Sequence, residues 1–140
     1  MIVVIDSNVL ISALIKDSIT RKILAQSGWV FYYPELAFQE VRKYKELILQ
    51  KSDMNEKEYD ILLNLLLKQI SLIPEERFSH SLKGANTQLG KIDPDDVVFL
   101  ALAMSIEQSV IWSNDAHFQK QDRVKTLTTE EMVKLHKIRT

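Results

Sequence analysis

The amino-acid sequence predicts an α/β fold with a mostly parallel central sheet of about five strands, flanked by helices. Short segments rich in β-branched or aromatic residues alternate with longer helical patterns, which is typical of a parallel sheet covered on both faces. The chain has only three glycines and three prolines, and it contains no repeat, low-complexity stretch or linker. We therefore expect one compact domain over residues 1–140.

The five predicted strands are four or five residues long and almost entirely apolar or aromatic. They are IVVI (2–5), WVFYY (29–33), ISLI (70–73), SVIWS (109–113) and a weaker VKTL (124–127). The residues from 34 to about 70 form the longest helical stretch, with a break near SDMN (52–55). Ser52, Asp53 or Asn55 is suited to cap a second helix there, so the pattern predicts a helical hairpin.

The second arm of this hairpin, YDILLNLLLKQI (59–70), has a wider apolar stripe than packing against one sheet face requires. A partner surface, such as a homodimer interface, is one explanation. A helix wedged between the sheet and the other arm of the hairpin is the alternative. The sequence leaves both open.

Composition narrows the possible classes of protein. The absence of cysteine excludes disulfides, thiolate zinc sites and a cysteine nucleophile. The 18 basic and 19 acidic side chains give no overall attraction to nucleic acid, so any such contact depends on a local patch. The N-terminal MIVVID has no basic segment before its apolar run, and no run approaches the roughly 18 residues of a membrane span. We expect a cytoplasmic protein without membrane association.

Aspartates follow the predicted strands or begin the predicted helices. Asp6 comes directly after the first strand, Asp115 follows the fourth, and KIDPDDVVFLALA places Asp93, Asp95 and Asp96 at the mouth of an apolar helix. Each of them, taken alone, is explained as a helix cap that satisfies free backbone amides and the helix dipole. Single residues therefore do not decide between capping and a functional site.

The shared location of these acids points beyond capping. The carboxyl ends of parallel strands meet at one edge of a sheet, where ligands bind. Carboxylates a few Å apart repel by several kcal/mol at an effective dielectric constant of about 20, unless some are protonated or a cation lies among them. A set of oxygen ligands favours Mg²⁺ or Mn²⁺ over zinc.

Glu40 is a further candidate, because it borders the apolar stripe of the predicted helix ELAFQEVRKYKELI. An ion pair with Lys43, three residues on, and a role in the site explain it equally well. His80, His117 and His136 lie far apart in the sequence without metal-ligand spacing, which indicates surface or capping roles. The sequence also lacks G-x-S-x-G, P-loop and G-x-G-x-x-G motifs.

With these acids identified, the chain resembles the PIN-domain ribonucleases, the fold of the toxin subunits of VapBC-type toxin–antitoxin pairs. The resemblance runs through four segments in order and covers nearly the whole chain. They are VVIDSNVLISAL, the glutamate of FQEVRKY, DPDDVVFLALA and VIWSNDAHF. The DPDD sequence departs from the commonest toxin pattern, in which a single aspartate begins the helix. This difference weakens the assignment as a toxin more than the assignment as a nuclease.

This resemblance implies a PIN-like fold and a metal-dependent endoribonuclease acting on RNA. Its acidic pocket corresponds to Asp6, Glu40, Asp96 and Asp115, with Mg²⁺ or Mn²⁺ held by Asp6, Asp96 and Asp115. Supporting groups correspond to Asn8, Asp93 and Ser113, and Asp93 is the alternative to Asp96 as the metal-facing acid. A small antitoxin protein is an implied partner if the chain is a toxin.

Two other functions compete with this one. A haloacid-dehalogenase-like phosphatase also begins with an apolar strand that ends in aspartate, but its second acid falls where this chain has Asn8. A non-catalytic PIN-fold module, serving as a scaffold or binding domain, is the other alternative. The presence of all four acids favours the enzyme, although a fold alone does not establish an activity.

Overall fold

A computed structural model of the protein describes residues 1–139. Five strands lie in that range: β1 (Ile2–Ile5), β2 (Val30–Pro34), β3 (Ile70–Ile73), β4 (Ser109–Trp112) and β5 (Thr126–Leu127). The strands are ordered β3-β2-β1-β4-β5, and every neighbouring pair is parallel. The predicted parallel sheet is confirmed, with β5 two residues long where the sequence predicted four.

Eight α-helices connect and cover the strands within residues 1–139. They are α1 (Ser7–Ile15), α2 (Ile19–Gln26), α3 (Phe38–Lys43), α4 (Lys45–Ser52), α5 (Glu56–Leu67), α6 (Leu82–Leu89), α7 (Val97–Met104) and α8 (Thr129–Arg139). The break predicted at 52–55 lies between α4 and α5. There, Asn55 Oδ1 accepts from the amide of Glu58 at 2.8 Å, and Glu58 Oε1 accepts from the amide of Asn55 at 3.1 Å. A second break, at Tyr44, was not predicted.

The buried strand β1 and the buried helix α7 form the centre of the fold. Three of the four β1 residues are buried, as expected of a central parallel strand with helices on both faces. Helix α7 packs on β1, β2 and β4, and six of its eight residues are buried. The chain runs from β1 through β2 to β3 at one edge of the sheet and then crosses back to β4 on the other side of β1. Because such crossovers are right-handed, α7 lies on the face of the sheet opposite to the one that α1 and α2 cover.

Helix α5 contacts α1, α2 and β3 but does not bury its whole apolar stripe. Tyr59 and Leu66 are buried, whereas Ile61 and Leu65 are 54% and 53% exposed. The wedged-helix interpretation therefore accounts for one side of the stripe and leaves the other side uncovered. Within residues 1–139, no helix has the length and apolar character that a bilayer crossing requires.

Candidate metal centre

The site begins where β1 and β4 end side by side. Ile5 pairs with Trp112, so Asp6 and Ser113 follow at the same edge of the sheet. The amide of Asp6 continues the pairing by donating to the carbonyl of Trp112 at 3.1 Å. The connections leave β1 and β4 in opposite directions along the sheet, which makes this point the crevice where ligands bind in open α/β sheets.

Ser113 joins the acids that follow these two strands. Its hydroxyl donates to Asp6 Oδ2 at 2.7 Å and accepts from the backbone amide of Asp115 at 2.9 Å. Ser113 is fully buried, so these bonds are shielded from water. Asn8 lies in the first turn of α1 with its side chain exposed. Its backbone amide lowers the pKa of Asp6 but does not form a capping hydrogen bond with the Asp6 side chain. The end of β4 thus fixes the positions of Asp6 and Asp115 together.

Four side chains converge beside Asp6. Asp93, Asp96, Asp115 and His117 each offer one ligand atom, and these four atoms all lie within 4.8 Å of one another. His117 Nδ1 lies 3.2 Å from Asp93 Oδ2, 3.3 Å from Asp115 Oδ1 and 3.6 Å from Asp96 Oδ2. We call these four residues the acid–histidine cluster. It brings both aspartates that the sequence left as alternatives, Asp93 and Asp96, into one place.

Helix capping explains two of the acids and leaves two unexplained. Asp93 Oδ1 accepts from the amide of Asp95 at 3.0 Å, and Asp115 Oδ1 accepts from the amide of His117 at 2.9 Å. Asp6 and Asp96 also stand at N-cap positions, of α1 and α7, but neither side chain makes a capping hydrogen bond. The two acids that do not cap are the two that are buried, with 5% and 7% of their surface exposed.

Burial and neighbouring charge both act on these two carboxyls. Burial, together with the charges of Asp93, Asp115 and Asp6, raises the pKa of Asp96 to about 7, and His117 acts in the opposite direction. Burial also raises the pKa of Asp6, against the hydrogen bond from Ser113. Among residues 1–139, Asp96 Oδ2 is a buried side-chain oxygen without a hydrogen-bond partner. An uncompensated buried carboxylate of this kind is costly unless a cation or a proton neutralises it.

Glu40 lies on α3, at the margin of the site. Its side chain is exposed, and its charge raises the pKa of both Asp6 and Tyr33. In the described part of the chain, no ion pair joins it to Lys43. Both residues instead line an open groove of about 490 Å³ that also borders Asp95. Glu40 therefore lies outside the acid–histidine cluster, although its charge acts on Asp6.

Tyr33 connects the chain segment that carries Glu40 to the one that carries Asp6. Its hydroxyl donates to the carbonyl of Ala37 at 3.0 Å and lies 2.6 Å from Ser7 Oγ. Ser7 directly follows Asp6, and Ala37 precedes α3. Burial raises the pKa of Tyr33, so this hydroxyl stays protonated and keeps its hydrogen to donate.

Replacing Tyr33 by Phe is expected to lower the free energy of unfolding by about 1–3 kcal/mol, because buried groups of Ser7 and Ala37 lose a partner. Urea unfolding measures this loss. Tyr44→Phe is the matched control, since Tyr44 is 38% exposed and its variant should stay within about 0.5 kcal/mol of the wild type. Equal effects of the two variants would show that the Tyr33 hydroxyl does not stabilise this connection.

His117 is the residue that sequence reasoning missed. A surface or capping role was expected, whereas the ring lies among three carboxylates and is partly shielded, with 41% of the side chain exposed. A short 3₁₀ turn after Asp115 brings the ring back toward the mouth of α7. Its only sequence signal was its position two residues after a strand-end aspartate, which standard histidine metal spacings do not include.

The cluster suits a divalent cation. Three carboxylates and one imidazole supply ligand atoms at mutual distances that a single ion spans, and the unpartnered Asp96 Oδ2 is a buried acceptor that a cation would satisfy. Asp6, held by Ser113 beside them, adds negative charge. Oxygen ligands predominate, as expected for Mg²⁺ or Mn²⁺.

Comparisons with known proteins agree with this fold. The sequence model of the PIN domain family matches residues 4–136. No curated protein matches the chain. The crystal structure of VapBC2 from Rickettsia felis, bound to a DNA fragment from the VapBC2 promoter, contains a chain of similar fold. Its TM-score is 0.66 at 15% identity, over 91% of this chain and 98% of that one. Because the family model spans nearly the whole sequence, the chain belongs to the PIN-domain family.

Proposed function

We propose that the protein is a metal-dependent endoribonuclease that hydrolyses phosphodiester bonds in RNA. The observation that carries the proposal is the pair of buried acids, Asp6 and Asp96, which make no capping bond and stand next to two more carboxylates at the switch point of the sheet. Family membership supports the reaction class, because PIN domains are generally nucleases.

We assign the catalytic roles to Asp6, Glu40, Asp96 and Asp115. A divalent ion, Mg²⁺ or Mn²⁺, would be held by Asp6, Asp96 and Asp115, with Asp93, Asn8 and Ser113 in support. Such an ion supplies Lewis-acid activation of water and offsets the charge that develops on the leaving oxygen. Ser113 keeps the Asp6 carboxylate oriented through its 2.7 Å hydrogen bond. We assign to Glu40, which is exposed at the groove, the role of orienting the water or the approaching phosphodiester.

The RNA would approach along the groove beside Glu40, where Lys43 offers a positive charge. The chain has a formal net charge of −1, and the acidic crevice repels phosphate until a cation occupies it. We propose that the protein acts in the cytoplasm.

RNA binding, as well as cleavage, is therefore expected to depend on the metal. With a labelled single-stranded RNA, the Kd in EDTA should be at least about tenfold weaker than in Mn²⁺ or Mg²⁺ at the same ionic strength. Adding excess metal back to the EDTA sample should restore binding and cleavage. Equal affinity in EDTA would show that the acids do not oppose RNA, and this part of the account would be wrong.

A toxin neutralised by a small antitoxin protein is the biological role that we propose first, with a stand-alone RNA-processing enzyme as the second. The fold shared with the VapBC2 structure supports the first role. Growth arrest on expression of the wild type, with normal growth on expression of Asp96→Asn, is the expected result for a toxin. Normal growth with both would favour the stand-alone enzyme.

We also propose a homodimer that covers the exposed side of α5. Ile61 and Leu65, one helical turn apart, are both more than half exposed, which is unusual for two adjacent aliphatic side chains. Light scattering coupled to size exclusion should give a dimer for the wild type and a monomer for Leu65→Asp. A wild-type monomer at tens of micromolar would contradict the proposal.

A further inference from the structure

We propose that His117 is a nitrogen ligand of the bound cation, through Nδ1, and that the site consequently prefers Mn²⁺ and related first-row transition-metal ions over Mg²⁺. This inference deepens the proposed function and rests on it, because it concerns the identity of the ion at the same site. It adds a ligand of a different chemical type to the carboxylates.

The distances from His117 Nδ1 to the three carboxylates match those between neighbouring ligands of one ion. Bonds of 2.0–2.2 Å in tetrahedral or octahedral geometry place adjacent ligand atoms about 3.0–3.5 Å apart. His117 Nδ1 lies at 3.2, 3.3 and 3.6 Å from the nearest oxygens of Asp93, Asp115 and Asp96. Little rearrangement is therefore needed for the imidazole nitrogen and the carboxylate oxygens to share an ion.

A second observation, separate from these distances, points to a ligand at this place. Asp96 Oδ2 is buried, and within residues 1–139 it has no hydrogen-bond partner. The side chain of Asp96 is only 9% exposed, and its oxygen is turned toward His117 Nδ1 at a distance too long for a hydrogen bond. An ion between them would bind both atoms.

The chemistry of imidazole then decides which ions are favoured. Mg²⁺ prefers oxygen ligands in near-ideal octahedral geometry and gives up its water reluctantly, whereas imidazole nitrogen suits the later first-row transition metals. With three carboxylates the site still takes Mg²⁺, because these oxygens suit a hard cation. The nitrogen ligand contributes little affinity for Mg²⁺, more for Mn²⁺, and most for later ions such as Co²⁺ and Zn²⁺.

A role as an internal cation is the competing explanation for His117. In that case a protonated ring would compensate the three carboxylates itself, and a metal ion would have to displace it from the cluster. The two explanations differ in one observable, namely whether histidine nitrogen is bonded directly to the ion.

Pulsed electron paramagnetic resonance of Mn²⁺ bound to the metal-stripped protein measures that bond. We expect coupling to one ¹⁴N nucleus in the wild type, which changes on labelling histidine with ¹⁵N and disappears in His117→Gln. His80→Gln, at an exposed position on a different turn, is the matched control and should keep the coupling. In titrations, His117→Gln should weaken Mn²⁺ binding by at least about tenfold and Mg²⁺ binding much less.

The outcomes separate this inference from the proposed function. Tight Mn²⁺ binding without nitrogen coupling in the wild type would overturn the His117 assignment and leave the carboxylate site intact. A failure to bind Mn²⁺ at millimolar concentration would overturn both proposals. Because the decisive signal comes from the wild type, it does not depend on the folding of any variant.

Discussion

In EDTA the Asp96→Asn variant is expected to be more stable than the wild type, and in Mn²⁺ its RNA cleavage is expected to be slower by about a hundredfold or more. Loss of a metal-holding carboxylate removes several kcal/mol of transition-state stabilisation, and each 1.36 kcal/mol corresponds to a factor of ten. Asparagine carries no charge, so the variant no longer holds a buried carboxylate next to Asp93 and Asp115.

The gain in stability should depend on pH, with a sign that follows from the raised pKa of Asp96. The folded protein holds this proton up to about pH 7, whereas the unfolded chain releases it near 3.8. Wild-type stability therefore decreases, relative to the variant, as pH rises from about 4 to about 7, and the difference stays constant above that range.

Thermal unfolding in EDTA at pH 4 and pH 8 measures this difference. We expect similar Tm values at pH 4 and a variant Tm higher by about 3 °C or more at pH 8. Asp122→Asn, which neutralises an exposed carboxylate, is the matched control and should change Tm little at either pH. A variant no more stable than the wild type at pH 8 would contradict the account of Asp96 as an uncompensated buried acid.

Replacing Leu100 by Ala is expected to lower the free energy of unfolding by about 2–5 kcal/mol. Leu100 is fully buried in α7, the helix that begins directly after Asp96 and packs on β1, β2 and β4. The deletion leaves a cavity between this helix and the sheet, and the helix that positions the acids is then held less firmly. Burial of the apolar helix α7 thus holds in place the carboxylates at its N-terminus.

Urea unfolding of Leu100→Ala and Leu135→Ala tests this statement with identical chemistry at two sites. Leu135 is 39% exposed and lies outside the proposed dimer surface on α5, so its truncation should change stability by about 1 kcal/mol or less. If the two variants lost similar amounts of unfolding free energy, burial of α7 would not be what holds the N-terminus of this helix in position.

The sequence predicted the fold well because parallel α/β architecture has a strong periodic signal. Strands β1 to β4 lie within one residue of the predicted segments, and β1 is apolar throughout because both of its faces are buried. The length of β5 was overestimated, because a two-residue strand at the edge of the sheet produces little apolar pattern in the sequence. The break at Tyr44 carries no glycine or proline, so nothing in the pattern indicated it.

The site was predicted in part. Asp6, the Asp93–Asp96 group and Asp115 were expected at one edge because strand ends of a parallel sheet converge. Ser113 Oγ is hydrogen-bonded to both Asp6 and the amide of Asp115, which confirms the proximity of those two acids. His117 was missed because its approach to the acids depends on a 3₁₀ turn and on tertiary contacts with a segment about twenty residues earlier. Sequence spacing predicts which residues are neighbours within one helix or strand. His117 and the acids at the start of α7 do not share a helix or strand, so their spacing gives no such signal.

The family resemblance implied Asp96 as the metal-facing acid, with Asp93 as the alternative, and the structure adds a physical reason for that proposal. Sequence placed both at the start of the same helix, where either could cap. In the fold, Asp93 caps Asp95 and is partly exposed, whereas Asp96 is buried and makes no capping bond. This difference makes Asp96 the acid with the greater need of a cation, and it underlies its assignment as the metal-facing residue.

The most direct test of the central claim is cleavage of a labelled single-stranded RNA panel by wild type, Asp6→Asn and Asp96→Asn in Mg²⁺, Mn²⁺ and EDTA. We expect the wild type to cut in both metals and not in EDTA, and both variants to be inactive under all three conditions. The variants also exclude a contaminating ribonuclease. Indistinguishable cleavage by all three proteins, or none by the wild type, would contradict the account and favour a non-catalytic PIN-fold binding module.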